Sequence, residues 1–363
     1  MKIAPIPSRL QPKLVTRLWG RRRPHALLPS TADRGEPIGE IWLSGEDCRF
    51  ATGPLAGLAL GEAWERMPEA WRGSLSARRG ARGAPACGFG SAGFPLLAKF
   101  LFPETKFSIQ VHPDDDYAAR HEAGAGGCGK TEMWHAVTAE PGAEGFVGLE
   151  PGSNLESLRR ALSDGTLEAR LRRIPIAAGD TIYVPAGTVH TVGSGVVLCE
   201  IQEYSDVTYR LFDYGRVDAA GKPRELHVEK ALEVIAFGPS RAGKTRPATG
   251  RRGPLEVAHL AACRYFAAER WRFAEPVAPP ASRTHFDLLV ILAGAGAVAC
   301  GEDGYPYHAG EAWFVPAEAA SYRFEPEAAT TLLRAYVPDL EALRRDLVSE
   351  GLTPEQTAGF LFE

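Results

Sequence analysis

Apolar and polar positions along the chain alternate in short runs rather than in long stripes. The clearest runs, at 107–111, 181–184, 196–201, 288–292 and 312–315, are rich in β-branched and aromatic residues. Proline or glycine interrupts the chain roughly every 8–12 residues, the spacing of turns between short strands. This rhythm predicts a mainly β protein of the barrel or sandwich kind. Helical spacing is confined to 154–174, where Leu155, Leu158, Leu162, Leu167 and Leu171 recur around Gly165, and to 340–347. Those helices are expected to be appendages to a β scaffold.

The pattern also divides the chain. With 363 residues, it exceeds the ~250–300 residues at which single cores stop growing. Apolar periodicity is lost across 237–253, which is rich in Gly, Pro, Arg and Lys and reads as a linker. Gly243-Lys244-Thr245 inside it lacks the spaced first glycine, the preceding strand and the following helix of a phosphate loop. An internal echo supports two similar halves: GDTIYVPAGTVH at 179–190 and GEAWFVPAEAAS at 310–321 share a glycine, five residues and a proline around a strand-like run. The expected organisation is a half with N-terminal strands and a metal site at 1–236, the linker, and a degenerate half without a metal motif at 254–363.

Candidate chemistry concentrates in the first half. Gly179, Pro185, Gly187 and His190 form Gly-x5-Pro-x-Gly-x2-His, which resembles the second motif of the cupins. A strand there enters a turn made rigid by proline and permissive by glycine, placing His190 at the start of the return strand. In FSIQVHP, Ser108, Gln110 and His112 share one strand face while Ile109 and Val111 take the core-packing face. Lys130-Thr131-Glu132 follows the Gly-rich loop at 124–129 and opens another strand-like run. Gln110, His112, Glu132 and His190 would together suit a catalytic divalent ion such as Zn, Fe or Mn. In the second half, Ser321 stands where a ligand would be. No metal is expected there, and His285 and His308 are read as structural or exposed.

Composition narrows the partners. Hydrophobic residues make up 45% and charged ones 24%, with a formal net charge of −4, an ordinary globular mix. The one compact arginine cluster, Arg21 to Arg23, has no interleaved aromatics to stack on bases, so nucleic acid is not expected. No apolar run approaches the ~18–20 residues that span a bilayer, and the start of the chain lacks the apolar core of a signal peptide. No membrane association and a cytoplasmic location are therefore expected. The six cysteines, Cys48, Cys87, Cys128, Cys199, Cys263 and Cys300, show no CxxC pair or framework spacing and are read as free thiols.

Several blocks, in order, resemble the type I mannose-6-phosphate isomerases in their short bacterial form. They are LWG (18–20), IGEIW (38–42), FPLLAKFL (94–101), FSIQVHPDD (107–115), GKTEMW (129–134), VPAGTVH (184–190) and EIQEYSDVTYRLFDYGR (200–216). The resemblance implies two cupin-like jelly-roll halves, one zinc ion held by Gln110, His112, Glu132 and His190, and a sugar-phosphate substrate. It implies a catalytic role for Arg210, Lys130 and Glu200, and phosphate contacts by Ser108 and Lys99. Asp206, Tyr204, Tyr209 and Tyr214 are expected to pack and orient the site. His135 and Glu203 depart from the family pattern, which leaves substrate choice open.

The implied reaction interconverts mannose 6-phosphate and fructose 6-phosphate through a cis-enediolate. It needs an acid/base, an electrophile and a phosphate clamp. Glu200, Lys130 and a metal-bound water are all candidates for proton transfer, with Glu200 preferred. A monomer or a homodimer is compatible with the sequence. The alternative reading is a bicupin that is not an isomerase, either a metal-dependent oxygenase, against which Gln110 argues, or a sugar-binding protein, against which Lys130 and Arg210 argue.

Overall fold

In a computed structural model, residues 5–362 are described apart from 24, 29–35, 78–92, 123, 125–126, 280–281, 283 and 320. Among the described residues, twenty-two strands carry the fold. In the first half they are β1 (Ser8–Leu10), β2 (Lys13–Arg21), β3 (Ile38–Trp42), β4 (Leu96–Leu101), β5 (Ile109–Val111), β6 (Glu132–Ala139), β7 (Glu144–Leu149), β8 (Leu171–Pro175), β9 (Thr181–Val184), β10 (His190–Val192), β11 (Val196–Glu203) and β12 (Tyr209–Phe212). Next come β13 (Gly243–Lys244), β14 (Ala248–Arg252), β15 (Leu255–Ala262), β16 (Ala267–Phe273) and β17 (Asp287–Ala293). The last are β18 (Ala295–Cys300), β19 (Asp303–His308), β20 (Ala312–Val315), β21 (Tyr322–Pro326) and β22 (Thr330–Tyr336). All the strand pairs are antiparallel, consistent with the turn-rich sequence.

A seven-stranded sheet in the order β13-β9-β6-β11-β4-β3-β2 faces a five-stranded one, β12-β5-β10-β7-β8. Between them lie Trp134 and Leu198 from one sheet and Val147 and Val192 from the other. The second barrel pairs a seven-stranded sheet, β1-β20-β17-β22-β16-β15-β14, with a three-stranded one, β19-β18-β21, around Trp271, Leu289, Trp313 and Phe324. The large sheets pack back to back through a shared core that includes Phe100, Met133, Ile201, Leu288, Phe314 and Leu333. Every residue of β4 and β11 is buried, because one face of each strand looks into its barrel and the other into this shared core.

The two large sheets have the same strand order when β13, β9, β6, β11, β4, β3 and β2 are matched with β1, β20, β17, β22, β16, β15 and β14. The smaller sheets match as β10-β7-β8 with β21-β18-β19. Strands β5 and β12 have no counterpart among the described residues. One isolated bridge, Val277 to Phe324, stands where the β5–β10 pair would be. Pro276 and Pro279 flank it, and residues without an N–H cannot extend a ladder.

Three features differ from the sequence expectation. The 237–253 segment is not an unstructured linker: β13 pairs with β9 of the first barrel, and β14 pairs with β15 of the second. The N-terminal strands do not all belong to the first half, since β1 pairs with β20. The helical pattern at 154–174 is one helix, Leu155–Asp164, capped by Asn154 and ended by Gly165 at φ 75°, followed by a 3₁₀ turn and β8. Leu167 and Leu171 nevertheless join Leu158 in one apolar cluster, so their burial meets the apolar spacing without a continuous helix. At the other predicted site the helix is Leu340–Ser349. The five described cysteines are buried and none forms a disulfide among the described residues; Cys87 lies outside them.

Candidate metal centre and active site

Sheet register brings the distant motifs together. On β5, Ile109 and Val111 pack into an apolar cluster, which turns Gln110 to the opposite, barrel-facing side. Gln110 is opposite His190 of β10 and opposite Arg210 of β12. Glu132 opens β6, where Gln202 of β11 and Val184 of β9 flank it. The turn before His190 is locked by Gly187, which adopts φ 81° and donates its N–H to the His112 carbonyl at 2.8 Å.

His112, Glu132 and His190 are each buried to within 1% exposure. His112 Nε2 is 3.5 Å from Glu132 Oε2, and His190 Nε2 is 3.5 Å from Glu132 Oε1. Each imidazole directs Nδ1 to a backbone carbonyl, His112 to Val207 at 2.8 Å and His190 to Thr188 at 2.9 Å. These bonds hold the proton on Nδ1 and leave the Nε2 lone pairs facing Glu132. Burial lowers the pKa of both rings, that of His190 to about 4, so both stay neutral as a metal ligand must.

This donor set fits a divalent cation. Ligand atoms about 2.0–2.2 Å from a tetrahedral metal lie roughly 3.3–3.6 Å from one another, which matches the 3.5 Å separations from Glu132 to the two Nε2 atoms. Gln110 Nε2 lies 3.2 Å from His190 Nε2, and the Ser108 hydroxyl donates to Gln110 Oε1 at 3.1 Å. Because a hydroxyl accepts as readily as it donates, Ser108 can also hold the Gln110 amide with its oxygen toward a cation.

Around this centre a cavity of about 450 Å³ is lined by Gln110, Lys130, Glu200, Lys99, Arg210 and Arg224, among others. Lys130 Nζ lies 2.6 Å from Glu132 Oε2, 3.0 Å from Glu200 Oε1 and 3.2 Å from His112 Nε2. Burial disfavours the Lys130 ammonium, but Glu132 and Glu200 outweigh it and push its pKa up. Burial and the Glu132 charge lift Glu200 to about 7 against the opposing pull of Lys130. Lys99 is buried rather than exposed, 3.0 Å from Asp206 and with its ammonium over Trp42.

Arg210 has no carboxylate within 4.0 Å among the described residues, in contrast to Arg17, held by Glu40, and Arg224, held by Asp213. Burial and the neighbouring Arg224 charge lower its pKa. An arginine without a carboxylate partner in a polar cavity offers a forked donor set to an anion.

The predicted residues thus converge, with one qualification. Ser108 is buried and spends its hydroxyl on Gln110, so its visible role is to orient that amide. The departures from the family pattern lie behind the site: Glu203 accepts the Thr131 N–H at 2.7 Å, and His135 bonds Thr181 at 2.9 Å with its pKa lowered by burial to about 3. Arg17, Glu40 and Arg224 also line the cavity. Glu40 lies inside the IGEIW block, but Arg17 precedes LWG and Arg224 follows the last block at 200–216, so no local motif marked the three as pocket residues.

The sequence comparisons agree with this geometry. No family model matches the chain. It is 33% identical over 324 residues to a probable mannose-6-phosphate isomerase of Bacillus subtilis, spanning 88% of this chain and 96% of that one. It is 36% identical over 235 residues to a mannose-6-phosphate isomerase of Streptococcus mutans, spanning 65% and 72%. The crystal structure of the mannose 6-phosphate isomerase from Bacillus subtilis superposes with a TM-score of 0.76 at 29% identity, covering 91% of this chain and 99% of that one. With a metal-ready His-Glu-His cluster at the mouth of the first of two matched barrels, and with relatives of this length and identity, the chain belongs to the mannose-6-phosphate isomerase family.

Proposed function

We propose that the chain interconverts mannose 6-phosphate and fructose 6-phosphate in the pocket of the first barrel. The observation that carries this reading is the meeting of Lys130, Glu132 and Glu200 beside two neutral imidazoles, with Arg210 lining the same cavity and without a carboxylate partner among the described residues. Gln110, His112, Glu132 and His190 would hold one zinc ion. When bound, it supplies a Lewis acid for the oxygens on carbons 1 and 2 of the sugar.

The chain's own residues account for the rest. Glu200, with a pKa of about 7, would take the proton from carbon 2 of the aldose and return it to carbon 1. The electron pair released from the C2–H bond forms the C1–C2 double bond of a cis-enediolate, and the C1 carbonyl π pair moves onto its oxygen. Transfer of the hydroxyl proton from the oxygen on carbon 2 to the oxygen on carbon 1, together with return of the first proton to carbon 1, leaves the carbonyl at carbon 2, so no other reactant is consumed. Lys130 stabilises the carboxylate form of Glu200 and can exchange a proton with the substrate oxygens. Arg210 would hold the enediolate or phosphate oxygens, and Lys99 would contact the phosphate, while Ser108 supports the site through Gln110.

The two barrels are read as a catalytic half and a half without metal ligands. Among the described residues no helix is long and apolar enough to cross a membrane, which is compatible with the cytoplasmic location we propose. A monomer or a homodimer acting on a small sugar phosphate, without nucleic acid, completes the reading. No observation favours the oxygenase or sugar-binding alternatives.

The test is a linked assay of mannose 6-phosphate conversion to fructose 6-phosphate, with and without chelator, on the native chain and on His190→Ala. Activity should require metal and disappear in the variant. A fully active His190→Ala would overturn the assignment.

A further inference from the structure

The matched strand order allows each site position to be followed into the second barrel. Glu132 is the first residue of β6 and lies opposite Val184, the residue before Pro185; Asp287 is the first residue of β17 and lies opposite Val315, the residue before Pro316. Glu200 lies opposite Lys99 and Trp134, and at the matched place Arg334 lies opposite Glu269 and Leu289. Lys99 is opposite Trp42, and Glu269 is opposite His259. Lys130 precedes Glu132 by two residues, as His285 precedes Asp287. A second polar constellation therefore occupies the positions of the first, with acid and base exchanged at the Glu200 and Lys99 places.

This constellation is buried and internally ordered. Arg334 Nε is 2.9 Å from Asp287 and Nη1 is 3.2 Å from Glu269; His285 Nδ1 is 3.2 Å from Asp287, and His259 Nδ1 is 3.6 Å from Glu269. Burying such charges costs several kcal/mol per ion, and well-packed apolar residues often replace them without loss. Their presence in an otherwise apolar barrel calls for a role. They are not sealed off: His259, Glu269, Trp271, His285, Arg334 and Tyr336 line a cavity of about 640 Å³. It opens where β5 has no counterpart, since Pro276, Val277 and Pro279 form part of its wall.

The same missing strand fixes the chemistry. In the first barrel β5 carries Gln110, and His112 follows directly after it; without that strand, and with Phe324 bridged to Val277 where His190 pairs with Gln110, the second site keeps carboxylates but, among the described residues, no metal-ligand set. Two arginines, Arg252 and Arg334, face four carboxylates, Glu269, Asp287, Asp346 and Glu350, in or behind the cavity wall, a balance that disfavours a phosphate dianion. Donors and acceptors instead alternate on adjacent strands about 4.8 Å apart, the order of separation between hydroxyls on alternate carbons of a sugar ring.

We propose that the second barrel keeps a ligand site at the place matching the active site, which binds an uncharged polyol such as an unphosphorylated hexose and excludes its phosphate. The inference rests on the matched registers and the cavity, and it does not depend on which reaction the first barrel catalyses.

Calorimetric titration of the full chain with D-mannose, D-fructose and D-sorbitol tests it. At least one should bind saturably, and that binding should survive Arg210→Ala, which alters only the first pocket. Ser349→Trp, placed on the exposed helix wall of the second cavity, should weaken it by about tenfold or more while isomerase turnover is retained; Leu343→Trp provides a second block from the same helix. Absence of binding by all three probes, loss of binding in Arg210→Ala, or unchanged binding in both tryptophan variants would overturn the proposal.

Discussion

Gln110 and His190, eighty residues apart in sequence, face each other across the β5–β10 pair with their nitrogens 3.2 Å apart. Their placement depends on register. A slip of one residue in either strand would turn its side chain to the other face of the sheet, so the geometry of the centre is set by the strand pairing that the apolar residues Ile109, Val111 and Val192 enforce.

The first prediction concerns the centre itself. His112→Ala and His190→Ala each remove one neutral nitrogen from a three-atom cluster spanning no more than 4.8 Å. Elemental analysis of the purified variants should find metal occupancy well below that of the native chain, with isomerase activity near background. Stoichiometric metal in either variant would remove that residue from the ligand set.

Ser108→Ala tests the orienting role. The variant keeps every ligand but frees the Gln110 amide, and loss of such an outer partner typically costs about 10–100-fold in metal affinity or activity. Competition with a fluorescent chelator would measure the change. If KM for the sugar phosphate rises while metal affinity stays native, Ser108 is a substrate contact instead.

Glu200→Gln separates proton transfer from binding. If Glu200 carries the proton, kcat should drop about 10²–10⁴-fold with KM little changed, and solvent deuterium should no longer enter carbon 2 at a measurable rate. Arg210→Ala should lower kcat/KM through both parameters, because the guanidinium is assigned to substrate oxygens. Native turnover in Glu200→Gln would shift the proton to Lys130 or to a water.

The second barrel makes a prediction about acid. Burial raises the carboxyl pKa values of Glu269 and Asp287, but Arg334, together with His259 and Trp271 at Glu269 and His285 at Asp287, more than offsets it, and both end up lowered. A depressed folded pKa contributes stability that is complete above the unfolded value of about 4 and is lost as pH falls through the folded values. Arg334→Met leaves two buried carboxylates uncompensated and should cost about 3–5 kcal/mol at pH 7. The penalty should shrink toward pH 4, as those carboxylates take up protons. Urea unfolding at both pH values would measure it, and an equal penalty at both would argue that Arg334 acts by packing alone.

The sequence by itself determined the β class, the doubling of the barrel and the four ligand candidates. These rest on local rules: strand alternation places Gln110 and His112 on one face, and the Gly-Pro turn delivers His190. Local rules could not show that β1 and β13 exchange between barrels, because edge pairing depends on which unpaired strand lies nearby in three dimensions. Nor could they reveal Arg17 and Glu40 in the pocket lining, or the ion cluster around Arg334, whose members lie on or just before four strands and form a site only through register. The chain encodes its candidate metal ligands within short motifs, whereas the partners that tune their charge, and the second polar cavity, exist only once the sheets have closed and water has been excluded.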